Sequence, residues 1–188
     1  MLIAIAGSQG TGKSTLLSEL NKYYPTVTRK TSRSILTDWN VTLSQVNNDR
    51  DLTIRFQDEI LARKIADEKE AVESLGLHFT ERTFADLFTY ALVALGKDNE
   101  YSDWLDEYYT KCSAAQDQYV GVFYLKAGHF KPVEDGVRGT NQYYSRLVDN
   151  VMYEYTHEFT STSKYFQNLT SSDLDQRVES VLQYAQQL

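Results

Sequence analysis

Met1-Leu2-Ile3-Ala4-Ile5-Ala6-Gly7-Ser8-Gln9-Gly10-Thr11-Gly12-Lys13-Ser14-Thr15 is the stretch that decides the fold. Leu2 to Ala6 is a short, unbroken apolar run, which suits a central parallel strand buried on both faces. Gly7, Gly12, Lys13 and Ser14 fill every fixed position of G-x-x-x-x-G-K-[ST]. The chemistry of that motif needs these residue types. Glycines let the backbone bend so that successive N–H groups converge on phosphate oxygens. The helix expected from Lys13 onward adds its positive end. Gly7, Gly10, Thr11, Gly12, Lys13, Ser14 and Thr15 are therefore the expected nucleotide-binding residues. Lys13 is expected to reach the β- and γ-phosphates, Ser14 to ligate Mg²⁺, and Thr15 to help hold the α-phosphate.

Working outward, Leu16, Leu17, Leu20 and Tyr24 recur at helical spacing until Pro25 ends that helix. Residues 24–28 read as a weak second strand, and residues 32–39 as a short helix after a basic turn. Residues 52–74 read as a long amphipathic helix with Phe56, Ile60, Leu61, Ile65, Val72 and Leu75 as its buried stripe and Gly76 at its C-terminal end. Residues 77–80 form a third strand candidate, and residues 84–95 a helix apolar nearly all round. Ser102 is the expected cap of the next helix, with Trp104, Leu105, Tyr108, Cys112 and Ala115 as its stripe. Residues 120–125 read as a strong strand and 127–141 as a glycine-bearing loop. Tyr144, Leu147, Val148, Val151 and Tyr155 define another helix. Residues 164–168 are a weak edge strand, and Ser172 is the expected cap of a final helix. Strand–turn–helix repeats of this kind predict an α/β fold with a mainly parallel, five-stranded sheet sandwiched by helices, and the glycine motif at residues 7–15 makes the expectation a P-loop NTPase fold. The expected organisation is one kinase-like domain over residues 1–188 with a short lid at about 127–141.

The 188 residues carry 41% hydrophobic and 24% charged residues, the balance of an ordinary globular chain. The single cysteine, Cys112, excludes an intramolecular disulfide framework and a cysteine zinc site. His78, His129 and His157 are too scattered to suggest a metal cluster. A net charge of -7 argues against generic coating of nucleic acid. No stretch approaches the length of a membrane span and no signal peptide is read, so a cytoplasmic location is the expectation.

A GTPase would carry N-K-x-D after a later strand. Asn21-Lys22 lacks the aspartate and lies in the first helix. An ABC-type signature is absent, and a large motor needs a longer chain. The expectation is a small kinase, which needs an acidic group near the phosphates, cationic groups over the transferring phosphoryl, and an acceptor pocket. Glu81-Arg82 meets the first need at a strand end, the side where parallel sheets place ligands, with Asp86 one helical turn beyond. Glu81 suits either ordering Mg²⁺ or taking the acceptor's proton. Asp135-Gly136-Val137-Arg138, flanked by Lys131 and Arg146, has the glycine and positive charge of a lid. Arg29, Lys30 and Arg33 follow the second strand and suit the acceptor side. Tyr90, Trp104 and Tyr108 read as core aromatics and receive no role.

These motifs resemble those of the small P-loop kinases and ATPases of the NadR-like (AAA_28) group. The similarity lies in Gly7 to Thr15, Thr31-Ser32-Arg33, Phe79-Thr80-Glu81-Arg82 with Asp86, and Pro132 to Arg138 before a tyrosine-rich helix. It implies that Glu81 acts at the phosphate site and that Asp135-Gly136-Val137-Arg138 is a lid. Glu81-Arg82-Thr83 is also similar to the E-R-S triplet of deoxynucleoside kinases. Relatives often have aspartate where this chain has Glu81, and no nicotinamide-reading constellation is present. Similar kinases occur in bacteriophages, where some phosphorylate hydroxymethylpyrimidines within DNA, and the short, tyrosine-rich, cysteine-poor chain resembles them. The expected function is an ATP- and Mg²⁺-dependent kinase acting on a nucleoside- or nucleotide-type hydroxyl or phosphate, with Lys13, Glu81, Arg82 and Arg138 catalytic. Arg33, Asp86 and Arg146 are expected at the acceptor, and Ser14 and Glu81 at the metal. The alternatives are a kinase acting on a modified base in DNA and a non-kinase ATPase or nucleotide-gated binding module.

Overall fold

The structure, a computed structural model, describes residues 1–27, 31–128, 141–160 and 164–188. Five strands make one sheet: β1 (Leu2–Ala6), β2 (Thr26–Val27), β3 (His78–Glu81), β4 (Tyr119–Leu125) and β5 (Tyr165–Leu169). Their order is β2-β3-β1-β4-β5, and every ladder is parallel. The helices are α1 (Lys13–Leu20), α2 (Thr31–Asp38), α3 (Leu43–Asn48) and α4 (Arg50–Glu73). They continue with α5 (Phe84–Leu95), α6 (Ser102–Gln116), α7 (Gln142–Phe159) and α8 (Leu174–Ala185). The predicted α/β architecture is the one observed.

β1 is the central strand, and its apolar run has a direct cause. Side chains alternate across a strand, so both faces must be covered if both are apolar. Leu2, Ala4 and Ala6 pack into the core built with α4, α5, α6 and α7. Ile3 and Ile5 pack into the opposite core, built with α1 and α8. A third cluster of Ile35, Val46 and Phe56 joins α2, α3 and α4. No helix among the described residues is long and apolar enough to cross a membrane.

Several helix details differ from the sequence reading. Ile65, Val72 and Leu75 are exposed. The buried stripe of α4 runs instead through Thr53, Phe56, Gln57, Leu61, Lys64, Glu68 and Ala71. Polar side chains hold the inward positions of its second half, so an apolar pattern misplaces the face by one residue. On α7 the inward residues are Val148, Asp149, Met152, Thr156 and Phe159, while Tyr144 and Leu147 are exposed. Ser102 lies inside α6, after a single 3₁₀ turn at Asn99–Tyr101. Asp173, not Ser172, caps α8 by accepting from the Gln176 N–H. The helix α3 is held by a reciprocal capping box between Thr42 and Gln45.

Glu68 explains why α4 turns polar residues inward. Its carboxylate accepts from the Lys64 ammonium, the Thr80 hydroxyl, the Gln118 amide and the Tyr119 hydroxyl. It is 1% exposed and ties α4 to β3 and to the start of β4. Lys64 also donates to the main-chain oxygen of Glu81 at 3.2 Å. Burial, and after it the charge and hydrogen bond of Glu68, push the Tyr119 hydroxyl well above its ordinary pKa. Removing a buried charge partner leaves the other charge uncompensated. Glu68→Ala is therefore expected to cost about 3–5 kcal/mol of stability, read by urea denaturation.

Candidate active site

The turn after β1 is shaped by three glycines with φ values of 131° at Gly7, 75° at Gly10 and 92° at Gly12, where a side chain would be strained. Gly7 also lies against β4: a Cβ there would collide with the main-chain oxygen of Leu125. Gly12 is the N-cap of α1 and provides no side-chain cap, and the first turn of α1 holds no acidic residue. The N-terminal amides of α1 thus face the loop uncapped, an anion-favouring end.

The loop is braced from inside. Lys13 is 4% exposed, and its ammonium donates to the Ser8 main-chain oxygen at 2.5 Å. The Thr11 hydroxyl donates to the same oxygen at 3.0 Å. The Ser8 hydroxyl donates to Asp149 on α7 at 2.8 Å. Arg177 on α8 donates from Nη1 to the Thr11 main-chain oxygen at 2.9 Å, and from Nε to the Ser171 oxygen at 2.5 Å. Burial lowers the pKa of its guanidinium. Ser14 and Thr15 are exposed on the first turn of α1.

Strand register brings the acidic residue to this loop. Ile5 of β1 pairs with Glu81 of β3, and the Arg82 N–H donates to the Ile5 oxygen at 2.9 Å. Glu81 therefore stands beside the loop at the carboxyl ends of the central strands, where open α/β sheets bind ligands. The Ser14 hydroxyl donates to Glu81 Oε1 at 3.2 Å. An exposed hydroxyl next to a carboxylate is the oxygen donor pair that a hard divalent cation uses. These residues fit Mg²⁺. Among the described residues, no group of three or more His, Cys, Asp or Glu is placed to hold a metal without help from substrate.

Arg82 adopts a left-handed backbone, φ 68°, at the strand end. Its guanidinium lies 5.4 Å from the ring centre of Tyr90 and 3.6 Å from Asp86 Oδ2. Asp86 is fully buried, and its other oxygen accepts from the Thr83 hydroxyl at 2.8 Å. The side chain of Arg82 is 32% exposed, yet its Nη1 is buried. Burial works against the Arg82 charge, but Tyr90 and Asp86 outweigh it and raise its pKa. Burial raises the Asp86 carboxyl, opposed by Arg82, Lys13, Thr83 and Lys64.

Other expected site residues fall outside this cluster. Arg33 is exposed on α2 and Arg146 on α7. Arg29, Lys30, Lys131 and Asp135-Gly136-Val137-Arg138, with most of the expected lid, lie outside the described residues. Tyr108 is buried under Trp104, as core aromatics should be. The sequence reading missed Asp149, Glu68 and Arg177. All three sit on helices, and their only signal is that they occupy inward helical positions.

The Asp86 pair makes a pH-dependent prediction. Arg82→Ala leaves a buried carboxylate without its nearest cation. The loss is expected to be about 2–3 kcal/mol at pH 7. Because the folded carboxyl binds its proton more tightly than the unfolded one, the penalty of its charge is relieved as pH falls through its raised pKa. The variant should therefore lose less, relative to the parent, at pH 4 than at pH 7 in urea denaturation.

Comparison with known proteins bears on the fold. No curated protein matches the sequence. The chain superposes on deoxyadenosine kinase from M. mycoides with bound dATP at TM-score 0.70 and 18% identity, covering 98% of each chain. It superposes on the NadR protein in complex with NR at TM-score 0.73 and 16% identity, covering 98% of this chain and 51% of that one, so it spans about half the length of NadR. Shikimate kinase from Acinetobacter baumannii in complex with shikimate matches at TM-score 0.50 and 12% identity, covering 97% of this chain and 91% of that one. These likenesses establish the fold, which is that of the P-loop kinases. A model of the AAA_28 family, described as an AAA domain, matches residues 2–177, and the chain belongs to that family.

Proposed function

We propose that this protein is an ATP- and Mg²⁺-dependent phosphotransferase whose acceptor is a free nucleoside or nucleotide. The observation that carries the reading is the Ser14–Glu81 hydrogen bond at 3.2 Å beside the glycine loop. It joins the hydroxyl and carboxylate that phosphoryl transfer places at Mg²⁺ to the loop that cradles phosphate. The likeness to a deoxyadenosine kinase with bound dATP and to NadR with NR supports an acceptor of the nucleoside type.

In this reading residues 1–188 act as one kinase-like domain. The amides from Gly10 to Ser14 cradle the phosphates. Lys13 exchanges the Ser8 oxygen for the β- and γ-phosphate oxygens. Mg²⁺, when bound, supplies neutralisation of the phosphate charge, and Ser14 and Glu81 hold it. Phosphoryl transfer passes through a loose transition state, so positioning and electrostatics outweigh covalent help from the protein. Arg82, fixed by Asp86 and Tyr90, supplies positive charge near the transferred group. Asp86 acts through Arg82. Arg33 and Arg146 serve the acceptor, and Arg138, outside the described residues, serves the transferring phosphoryl.

The test is transfer of label from γ-labelled ATP, with Mg²⁺, to a panel of acceptors. The panel holds nucleosides, nucleoside monophosphates, nicotinamide riboside, and DNA with and without hydroxymethyluracil. Label is expected on a free nucleoside or nucleotide. Label on the modified DNA alone would move the assignment to a DNA-modifying kinase. Slow phosphate release unchanged by every acceptor would make the protein an ATPase or a nucleotide-gated module. Lys13→Ala is expected to lower kcat/KM by about a hundredfold or more with an unchanged circular dichroism spectrum.

A further inference from the structure

Asp149 is 2% exposed and lies on the inward face of α7. Its carboxylate gathers donors from two separate parts of the chain. The Ser8 hydroxyl donates to Oδ1 at 2.8 Å. The Tyr124 hydroxyl, at the end of β4, donates to Oδ1 at 3.0 Å and to the Asp149 main-chain oxygen at 2.9 Å. The Ala127 N–H, just past β4, donates to Oδ2 at 3.1 Å. A carboxylate that accepts from several groups in a dry site holds them in one arrangement, because each donor would be costly to leave unpaired there.

Ser8 is the residue through which this arrangement reaches the phosphate loop. Gly7, before it, is pressed against the backbone of Leu125. The Ser8 main-chain oxygen, on the other side, receives both the Lys13 ammonium and the Thr11 hydroxyl. The peptide after Ser8 thus sets where Lys13 rests, and the Ser8 side chain is what fixes that peptide. We propose that Asp149 is a positioning residue for nucleotide binding: acting through Ser8, it holds the glycine loop and Lys13 in the arrangement that receives phosphate. Asp149 touches no phosphate itself. Its contribution is preorganisation, so losing it makes the nucleotide order the loop at the expense of affinity. The proposal rests on the reading of residues 7–15 as a nucleotide site.

The test measures affinity for an ATP analogue with a non-hydrolysable β–γ bridge, with Mg²⁺, by calorimetry at a temperature well below each melting point. The proteins are the parent, Ser8→Ala, Asp149→Asn, Asp149→Ala, the Ser8→Ala/Asp149→Ala double variant, and Lys13→Ala. Asp149→Ala is expected to weaken binding about tenfold and Ser8→Ala about three- to tenfold. Asp149→Asn, which keeps the shape and part of the hydrogen bonding, should fall between Asp149→Ala and the parent. The double variant should bind no more weakly than Asp149→Ala, because both changes break one linkage. A merely structural role would lower the melting temperature and leave the affinity of the folded protein alone. Affinities of Ser8→Ala and Asp149→Asn equal to the parent's, with Lys13→Ala weakened, would overturn the proposal while sparing the nucleotide site. Additive losses in the double variant would also overturn it. If Asp149→Ala does not fold, Ser8→Ala and Asp149→Asn decide the matter. If the parent binds no nucleotide, or Lys13→Ala binds as well as the parent, the nucleotide reading falls and takes the proposal with it.

Discussion

The approach of Gly7 to the backbone of Leu125 is the constraint on which the rest depends. A Cβ at position 7 would collide with the Leu125 oxygen. The chain therefore leaves β1 hard against β4, with φ 131°, and turns over the carboxyl ends of the central strands. Parallel register then does the remaining work. Pairing of Ile5 with Glu81 brings the acidic residue level with the loop. Pairing of Ala6 with Tyr124 brings the β4 end, and with it the Asp149 network, to the other side. One tight passage thus sets two side-chain clusters about a single turn.

Those clusters are polar and mostly buried, which is unusual enough to need a reason. Burying charge is unfavourable unless its partners are close and complete. Glu68 is met by four donors from three segments, so its burial is well compensated. Asp86 is compensated less completely. One oxygen accepts from Thr83, but the other sits 3.6 Å from Arg82 and has no hydrogen-bond partner among the described residues. The less satisfied pair begins at Arg82, the residue that follows Glu81 at the end of β3. The better satisfied one ties α4 to β3 and to the start of β4.

The fold was legible because its strongest signals are local. The unbroken apolar run of β1, the glycines at 7, 10 and 12, and the nearly all-apolar α5 each announce their environment in a few residues. Glu81 was legible for a related reason, since a carboxylate at the end of a short strand has few places to be. The polar braces were not. Lys64 and Glu68 stand in a run of charges along α4 that reads as a solvated helix face, and only their inward phase distinguishes them. Asp149 stands between Val148 and Asn150, and Arg177 between Gln176 and Val178, with nothing in composition to mark either. The last two find partners far away in the chain: Ser8 lies 141 residues from Asp149, and Thr11 lies 166 from Arg177. Periodicity reports which face of a helix is apolar. It carries no information about which distant carbonyl or hydroxyl a buried polar side chain will meet.

This separation has a physical consequence for the loop itself. Glycines give residues 7–12 the backbone freedom to wrap an anion, and the same freedom raises the entropy that binding must remove. A loop that relied on glycine alone would be permissive but poorly set. Here two residues between the glycines are tied to helices from the far end of the chain, Ser8 to α7 and Thr11 to α8. Hydrophobic contacts are poorly suited to this task, since they act without direction and would cover the amides that must face phosphate. Directional bonds to a side-chain hydroxyl and a main-chain oxygen hold the loop without using its amide donors. Buried charge in α7 and α8 is thus the counterpart of glycine in the loop: one permits the turn, the other selects its shape.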